Sequence, residues 1–304
     1  MGTRPVIALV IFVVIFTIYL IISHSTPNYI IIAGYSNKLN KTEREFLIPP
    51  FVQIPAYYTL APKYNLTGCI VPKAMSQLTI NTLCYLFDKD LFLRSNQSMR
   101  DATLISRRSC WKDSAFTIFG EKQKRNPYMR RFAFIRDPFD RFLSFYLNKC
   151  VNDKYCWNCK GDMRCVVKNV YESLKKLAKR EIWSTPSFED FHTAPLTWSC
   201  DFAKDIDKFD IILIGLETAQ KTAAISKLAQ IFREQFVPEA DIQYIIQEAT
   251  QSETTHSTHS SPLRKVAEEQ LKRDNFVRQY LHRIYFYDYG VFQLNREHLD
   301  PEYR

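Results

Sequence analysis

The chain has 304 residues, of which 46% are hydrophobic and 24% charged, and only 7 are glycine. This composition suits a folded protein with a sizeable core and excludes a disordered or fibrous chain. The excess of 41 Lys and Arg over 32 Asp and Glu gives a net charge of +9, which favours an anionic partner such as a nucleotide or an acidic glycan. Nucleic acid is not expected, because the sequence has no basic block interleaved with aromatic residues and no zinc-finger or helix-turn-helix pattern.

The N-terminal segment contains an apolar run from Val6 to Ile22 that carries no charge and follows Arg4. Its length is near the short end for a membrane-spanning helix. A cleaved signal peptide is the alternative, but the run is long for one and no clear small-x-small cleavage site follows it. We therefore predict a cytoplasmic tail over residues 1–5, a transmembrane signal anchor over 6–23 and a lumenal remainder, by the positive-inside tendency.

Residues 24–61 contain several prolines and little periodicity, and we interpret them as a stem that holds the lumenal domain, residues 62–304, away from the membrane. The sequons that begin at Asn40, Asn65 and Asn96 are acceptors for N-linked glycans in a secretory compartment. Three such short motifs also arise by chance, so they support the lumenal location only together with the anchor.

The eight cysteines, an even number, are expected to be mostly disulfide-bonded in an oxidising compartment. Four of them cluster at positions 150, 156, 159 and 165, and the Cys156-x-x-Cys159 spacing also suits a pair of zinc ligands. The anchor and the sequons favour disulfides over zinc. The spacing leaves the connectivity open.

The first motif with a chemical meaning follows a short apolar strand, Cys69-Ile70-Val71. A turn with a lysine and a serine precedes apolar residues at 80, 83, 84 and 87, which have helical spacing. The backbone amides of a helix start suit a phosphate group, with Lys73 and Ser76 beside them. The flanking glycines of the nucleoside-triphosphate loop are absent, and an ordinary helix start is the alternative. The candidate residues of this loop are Pro72, Lys73, Ala74, Met75, Ser76 and Gln77.

A second strand and helix start lie some sixty residues later, where the apolar run 132–135 ends on Arg136. Asp137 is a good N-cap, and Pro138 suits the first helical position because its missing N–H would have no partner there. Ser144 lies seven residues past the cap and therefore on the same face of the helix. Arg136 and Ser144 thus form a second candidate anion site, with a simple capped amphipathic helix as the alternative.

The remaining segments are typical of a scaffold. We predict an amphipathic helix over 167–177, a buried strand over 209–216, and helices over 219–236 and 263–283 on either side of a polar loop. The basic residues along the first of these helices form either a solvated face or a contact surface for an acidic polysaccharide. Alternating strands and helices predict an α/β fold with a parallel sheet, helices on both faces, and the ligand at the C-terminal ends of the strands.

The two strand–loop–helix units together resemble the sulfotransferases that use 3′-phosphoadenosine 5′-phosphosulfate (PAPS). The resemblance implies the P-loop-like fold of those enzymes, with PAPS as co-substrate and no metal. It also implies that Lys73, Ser76 and the backbone of their loop bind the 5′-phosphosulfate. Arg136 and Ser144 would bind the 3′-phosphate.

Three later segments are similar to the membrane-bound carbohydrate sulfotransferases related to the chondroitin 4-O- and HNK-1 enzymes. They are 188–195, which contains His192, then 209–218 with its Asp-Ile-Ile pattern, and 284–292 with Tyr-x-x-Asp. The cysteine cluster is most like a nematode branch of that family. The resemblance implies a single-pass type II Golgi membrane protein whose acceptor is a glycan, such as chondroitin or another acidic polysaccharide. It implies nothing about the oligomeric state.

The sequence departs from the family pattern at three positions. Met75 replaces a small residue, Gln77 replaces a second Ser or Thr, and Thr193 stands where an aromatic residue is common. Gln77 is still able to hydrogen-bond a phosphate oxygen, so we expect adjusted donor binding more than loss. The replacements at Met75 and Gln77, together with the absence of a histidine between the two phosphate loops, motivate an alternative hypothesis, a non-catalytic glycan-binding or regulatory relative.

Transfer of a sulfuryl group needs an acceptor oxygen in line, a base for its proton and positive charge at the bridging oxygen, by analogy with phosphoryl transfer. We assign the last role to Lys73. His192 is the candidate base, because it lies in the matching block and titrates near neutrality, although a structural role is the alternative. Asp101 is the reserve base. A kinase is disfavoured, because its glycine loop and metal-binding carboxylates are missing.

Overall fold

The computed structural model describes residues 39–102, 107–111, 116–118, 126, 128–179, 186–251 and 262–304. The predicted tail and anchor lie outside these residues, and so does the first part of the predicted stem, residues 24–38. The polar loop that carries His256 and His259 is likewise outside them. Within the described ranges, no helix has both the length and the apolar character needed to cross a membrane.

The described residues form a mixed five-stranded sheet. Its strands are β1 (Tyr57–Ala61), β2 (Leu66–Cys69), β3 (Phe116–Ile118), β4 (Arg130–Arg136) and β5 (Phe209–Ile214). Their order is β3-β1-β2-β4-β5, with β2, β4 and β5 parallel and β1 antiparallel to both of its neighbours. The predicted α/β sheet is confirmed, but an all-parallel sheet is wrong. Only a single tight turn joins β1 to β2, and a parallel pair needs a much longer crossover.

The stem predicted over 24–61 is too long at its C-terminal end. Strand β1 pairs with two neighbours inside the sheet, and Ile48 and Ile54 are buried. Trp198 donates its indole N–H to the carbonyl of Pro49 at 2.8 Å. The folded domain therefore includes residues from 39 onwards, because the apolar side chains between the prolines pack against it.

Helices cover both faces of the sheet and build a second core beside it. On one face, β4 packs on a helix through Phe132 and Phe232, whose ring centroids are 6.1 Å apart. Gly68 in β2 lies so close to another helix that an added Cβ would be 2.6 Å from Thr79. The helices are α1 (Lys41–Glu45), α2 (Ser76–Phe87), α3 (Lys89–Arg94), α4 (Pro138–Phe145), α5 (Met163–Ala178), α6 (Phe188–Thr193), α7 (Phe202–Asp205), α8 (Thr218–Glu234), α9 (Glu239–Gln251), α10 (Pro262–Arg273) and α11 (Asn275–Val291). The second core lies between α4, α5, α10 and α11.

All eight cysteines lie in the described residues and are paired. Cys156 and Cys159 belong to different disulfides, so the alternative of a zinc site at this cluster is wrong. The pairs are Cys69–Cys200, Cys84–Cys110, Cys150–Cys156 and Cys159–Cys165. The first pair ties the C-terminal end of β2 to the segment that follows His192, across 131 residues of sequence.

Candidate active site

The two predicted anion-binding loops leave the sheet at the same edge. Strands β2 and β4 are parallel neighbours, with Cys69 aligned opposite Ala133, so their C-terminal ends lie side by side. Arg136 donates from Nη1 to the carbonyl of Lys73 at 3.5 Å. The fold therefore brings into contact two loops that are about sixty residues apart in sequence.

The first loop presents the N-terminal backbone amides of α2. Lys73 and Met75 both have left-handed backbone angles, with φ of 65° and 54°. The N-cap is Met75, whose side chain makes no capping hydrogen bond. The first amides of α2 therefore lack the side-chain acceptor that usually satisfies them, and such a helix start attracts an anion. The left-handed turn is typical of the concave backbone nests that bind phosphate groups.

Lys73 is the half-buried cation of this loop. Its Nζ donates to Oδ1 of Asn148 at 2.5 Å. Burial and the positive charges of Lys149, Arg136 and Arg141 together lower the pKa of Lys73 to about 7, against the opposite effect of Asp153. The protein thus gathers several positive charges around this loop, and such a cluster favours an anionic ligand.

The second loop has the predicted helix start. Asp137 Oδ1 accepts the N–H groups of Phe139 at 2.9 Å and Asp140 at 3.1 Å, and Pro138 is the first residue of α4. Both local predictions, the cap and the proline position, are confirmed. Burial lowers the pKa of Arg136, although the nearby carboxylate of Asp140 acts in the opposite direction. Arg136 stays charged, since a guanidinium remains protonated in proteins.

Ser144 lies half-buried on α4, two turns beyond Asp137. Helical spacing keeps it on the face of the cap, as predicted. Its hydroxyl offers a donor and an acceptor.

His192 stands close to Lys73. Its Nδ1 lies 2.8 Å from the carbonyl of Phe188, and because a carbonyl only accepts, Nδ1 carries the proton and Nε2 keeps its lone pair. Burial lowers the pKa of His192 to about 3, and the charges of Lys73, Lys149 and Arg141 contribute in the same direction. The histidine is therefore neutral at physiological pH and keeps a free lone pair on Nε2.

A buried arginine that the sequence analysis gave no role connects the first loop to the segment after His192. Arg141 donates from Nε to the carbonyl of Pro72 at 2.9 Å and from Nη1 to the carbonyl of Ala194 at 2.8 Å. Its side chain is 1% exposed. Helical spacing places Arg141 on the side of α4 opposite Phe139, Phe142 and Leu143, so the sequence pattern indicated a solvated residue and gave no signal of its burial.

Asn148, the acceptor for Lys73, was also missed. After α4 the chain continues as a π-helical turn over Tyr146–Asn152. Such turns are rare and are often found at functional sites. The wider turn changes the direction in which residue 148 points relative to α4, and neither helical spacing nor residue type indicates this in the sequence.

The C-terminal Tyr-x-x-Asp motif in α11 forms hydrogen bonds with the backbone of the residues that follow His192. The Tyr285 hydroxyl donates to the carbonyl of Thr193 at 2.9 Å. Asp288 accepts the N–H groups of Leu196 at 2.8 Å and Thr197 at 3.0 Å. Burial raises the pKa of Asp288 to about 6, although these amides act in the opposite direction. The motif therefore positions α6 and the residues that follow it.

The reserve base Asp101 lies near the first loop but is engaged locally. Its carboxylate accepts the N–H of Ser98 at 3.0 Å and the Ser98 hydroxyl at 3.3 Å. Its backbone carbonyl accepts from Arg108 Nη2, which also donates to Oε1 of Gln77 at 2.5 Å. The side-chain oxygen of Gln77 therefore faces Arg108, and its NH₂ group points away from Arg108.

Over the described residues, no group of three or more His, Cys, Asp or Glu side chains is arranged to hold a metal ion. The arrangement is that of an α/β enzyme with two basic helix starts at one sheet edge, suited to a ligand with two anionic ends. A neutral histidine and a partly neutral lysine stand beside the first of them.

Comparison with known proteins identifies this class. The model of the sulfotransferase family matches residues 56–295. The chain is 31% identical over 266 residues to "Carbohydrate sulfotransferase chst-1" of Caenorhabditis elegans, which covers 84% of this chain and 80% of that relative. It is 29% identical over 218 residues to "Putative sulfotransferase vep-2" of the same organism, with 67% and 65% covered. No solved structure matches significantly.

The chain therefore belongs to the sulfotransferase family and is a sulfotransferase. The resemblance drawn from the paired loops is confirmed. The match spans the sheet, both loops and the segment of His192, so every part of the site described above lies within the family region.

Proposed function

We propose that the protein transfers a sulfuryl group from PAPS to a hydroxyl of a glycan, with chondroitin or a related acidic polysaccharide as the acceptor. The observation that carries this proposal is the contact between the Arg136 and Lys73 loops at one sheet edge. PAPS carries anionic groups at both ends of one nucleoside, and two adjoining basic helix starts suit such a ligand. The carbohydrate sulfotransferase of C. elegans supports a glycan acceptor.

In this proposal the loop from Pro72 to Gln77 binds the 5′-phosphosulfate through Lys73, Ser76 and the first amides of α2. Arg136 and Ser144 bind the 3′-phosphate. The two-ended recognition explains why both loops belong to one site, since either loop alone would hold only a single anionic group.

The transfer step uses His192 and Lys73. The acceptor hydroxyl attacks sulfur, a new S–O bond to the sugar forms, and the S–O bond to the 5′-phosphate breaks. His192 Nε2 takes the hydroxyl proton, and Lys73 stabilises the charge that develops on the leaving phosphate oxygen. The products are a sulfate ester and adenosine 3′,5′-bisphosphate, and the scheme uses no metal ion.

The low pKa of His192 makes it a weak base in the ligand-free protein. Burial is the main cause of this shift and cations contribute the rest, so the negative charge of a donor beside Lys73 raises the pKa of His192 by opposing the cationic part. Donor binding thus activates the base in the complex where the proton must be taken.

A catalytically impaired, glycan-binding relative is the second candidate. It is favoured by two features of the first loop: Met75 has a left-handed backbone that suits glycine, and the oxygen of Gln77 is already engaged by Arg108. Transfer of labelled sulfate to a glycan that disappears in Lys73→Ala would exclude this candidate.

The proposed location is the Golgi membrane, with a type II anchor over 6–23 and a lumenal catalytic domain. Four disulfides support an oxidising compartment. Protease protection of the domain in sealed microsomes, with the N-terminus accessible, is the direct measurement of this topology.

The test of donor binding is thermal unfolding of the full chain, expressed through a secretory pathway, with and without adenosine 3′,5′-bisphosphate. We expect the bisphosphate to raise the Tm of the wild-type protein and to have little effect on Arg136→Ala. Arg130→Ala is the matched control, because Arg130 lies at the opposite end of β4 in ion pairs with Asp210 and Glu234. An equal Tm shift in wild type and Arg136→Ala would refute the assignment.

A further inference from the structure

Two exposed aromatic side chains, Tyr155 and Phe188, lie beside each other, with Phe188 next to His192, and we call them the aromatic platform. Tyr155 is 63% exposed and Phe188 is 48% exposed. Their ring centroids are 6.2 Å apart, and the centroid of Phe188 lies 4.2 Å from that of His192. The platform is therefore continuous with the proposed catalytic base.

The loop that carries Tyr155 is held in place by covalent and backbone constraints. The Cys150–Cys156 disulfide closes it, and the N–H of Tyr155 donates to the carbonyl of Lys149 at 2.9 Å. Lys154 and Trp157, on either side, have left-handed backbone angles of 56° and 49°. A fixed loop that keeps a large ring in water is suited to binding, because little conformational entropy is lost when a ligand covers the ring.

Phe188 belongs to the same short helix as His192, one turn earlier. Its carbonyl accepts the hydrogen bond from Nδ1 of His192, so the ring and the base are positioned together. Thr193, where relatives commonly have an aromatic residue, turns its hydroxyl back to the carbonyl of Glu189 at 2.7 Å. Phe188, and not residue 193, therefore presents an exposed ring beside His192.

The charges around the platform favour an acidic ligand. Lys149 Nζ lies 5.6 Å from the centroid of Phe188 and 2.6 Å from a carboxylate oxygen of Asp153. The charge of Lys149 also lowers the pKa of both Lys73 and His192, so all three groups share one region. Asp153 partly neutralises Lys149, and an acidic group on a ligand would compete with it for the ammonium group.

Resting on the proposed function, we propose that the aromatic platform and Lys149 form the acceptor subsite. The apolar face of a pyranose ring stacks on Tyr155 and Phe188, and a carboxylate of an acidic glycan binds Lys149. In this arrangement a hydroxyl of the stacked sugar, or of the next sugar in the chain, lies at His192. The acceptor class is therefore an acidic polysaccharide.

The test measures binding of fluorescent oligosaccharides of desulfated chondroitin to the full chain in saturating adenosine 3′,5′-bisphosphate. We expect Tyr155→Ala and Phe188→Ala each to weaken binding about tenfold, the order of one lost aromatic contact, and Tyr155→Phe to stay near wild type. Phe236→Ala is the matched control, because Phe236 is 89% exposed and follows α8, away from these residues.

Charge is tested with Asp153→Asn and with carboxyl-reduced chondroitin, which has the same sugars without the carboxylates. We expect Asp153→Asn to tighten binding of the acidic oligosaccharide severalfold and to leave the reduced one unchanged. Equal binding of both glycans by wild type would overturn the acidic class.

The outcomes separate this proposal from the proposed function. If wild type binds the bisphosphate but the platform variants bind chondroitin as wild type does, the platform is not the acceptor subsite and the donor site stands. If wild type binds the bisphosphate and no acidic oligosaccharide, the acceptor assignment falls. Failure of the bisphosphate to bind overturns the proposed function and the subsite with it.

Discussion

The pKa of Lys73 makes donor binding depend on pH in a way that Lys73→Arg removes. In the ligand-free protein the pKa of Lys73 is about 7, whereas an anion beside its Nζ restores it towards the ordinary value near 10.5. Because the bound state has the higher pKa, the ligand prefers the protonated lysine. Affinity is therefore greatest below pH 7 and falls as the pH rises above it.

The size of the effect follows from that free-state pKa. At pH 7.5 about three quarters of the ligand-free molecules carry a neutral Lys73, so binding takes up about 0.8 proton. Between pH 7.5 and 8.5 the affinity for adenosine 3′,5′-bisphosphate falls about eightfold, which is about 1.2 kcal/mol. The phosphates of the ligand contribute little over this interval, since their second pKa lies near 6.

The assay is isothermal titration calorimetry at pH 7.5 in buffers of different ionisation enthalpy, repeated at pH 8.5. The slope of the observed enthalpy against buffer enthalpy counts the protons taken up. Lys73→Arg keeps a permanent positive charge, so its affinity should be nearly constant over the same interval. A wild-type protein with no proton uptake and a flat pH profile would show that Lys73 is already charged before the ligand binds.

Three further predictions concern groups around the site. Asn148→Asp should raise the pH at which bisphosphate affinity declines, because a carboxylate beside Lys73 favours the charged form of the lysine. Asn148→Ala should reduce kcat about tenfold, with a smaller effect on bisphosphate affinity. Stability, measured by urea unfolding, should fall as pH drops from 6.5 to 4, because burial lowers the pKa of His282 to about 4 and that of His192 to about 3, so the unfolded chain takes up these protons first. His282→Gln should remove about 2 kcal/mol of this fall and leave the part that belongs to His192. Replacing both Cys69 and Cys200 by serine should cost about 2–5 kcal/mol of unfolding free energy.

Each of these has an outcome that would contradict it. An Asn148→Ala enzyme with unchanged kcat would show that Lys73 needs no partner to be positioned. An unchanged acid profile in His282→Gln would assign the acid sensitivity to other groups. A double serine variant as stable as wild type would mean that packing alone holds the end of β2 to the segment after His192.

Local signals in the sequence were enough to predict both helix starts of the site. Asp137 caps α4 and Pro138 begins it, as residue type and order indicate, because capping depends on neighbours within four residues. The loop from Pro72 to Gln77 was found in the same way. The family resemblance then paired the two loops, and the comparisons confirm the family.

Contacts between distant residues could not be predicted from such signals. The register of β2 against β4 places Arg136 on the carbonyl of Lys73, and the antiparallel direction of β1 depends on the short turn that follows it. The cysteine pairing likewise depends on which segments become neighbours, since an even count permits many connectivities.

The sequence by itself determined the residue types and the local turns from which the site is made: a lysine and an arginine at two helix starts, and a histidine in a family block. Only the tertiary structure decided how they act together. Burial next to Arg136, Arg141 and Lys149 lowers the pKa of Lys73, and a π-helical turn supplies Asn148 to hold it. The physical reason is that capping and turn chemistry act over a few residues, whereas burial and charge depend on the packing of the whole chain.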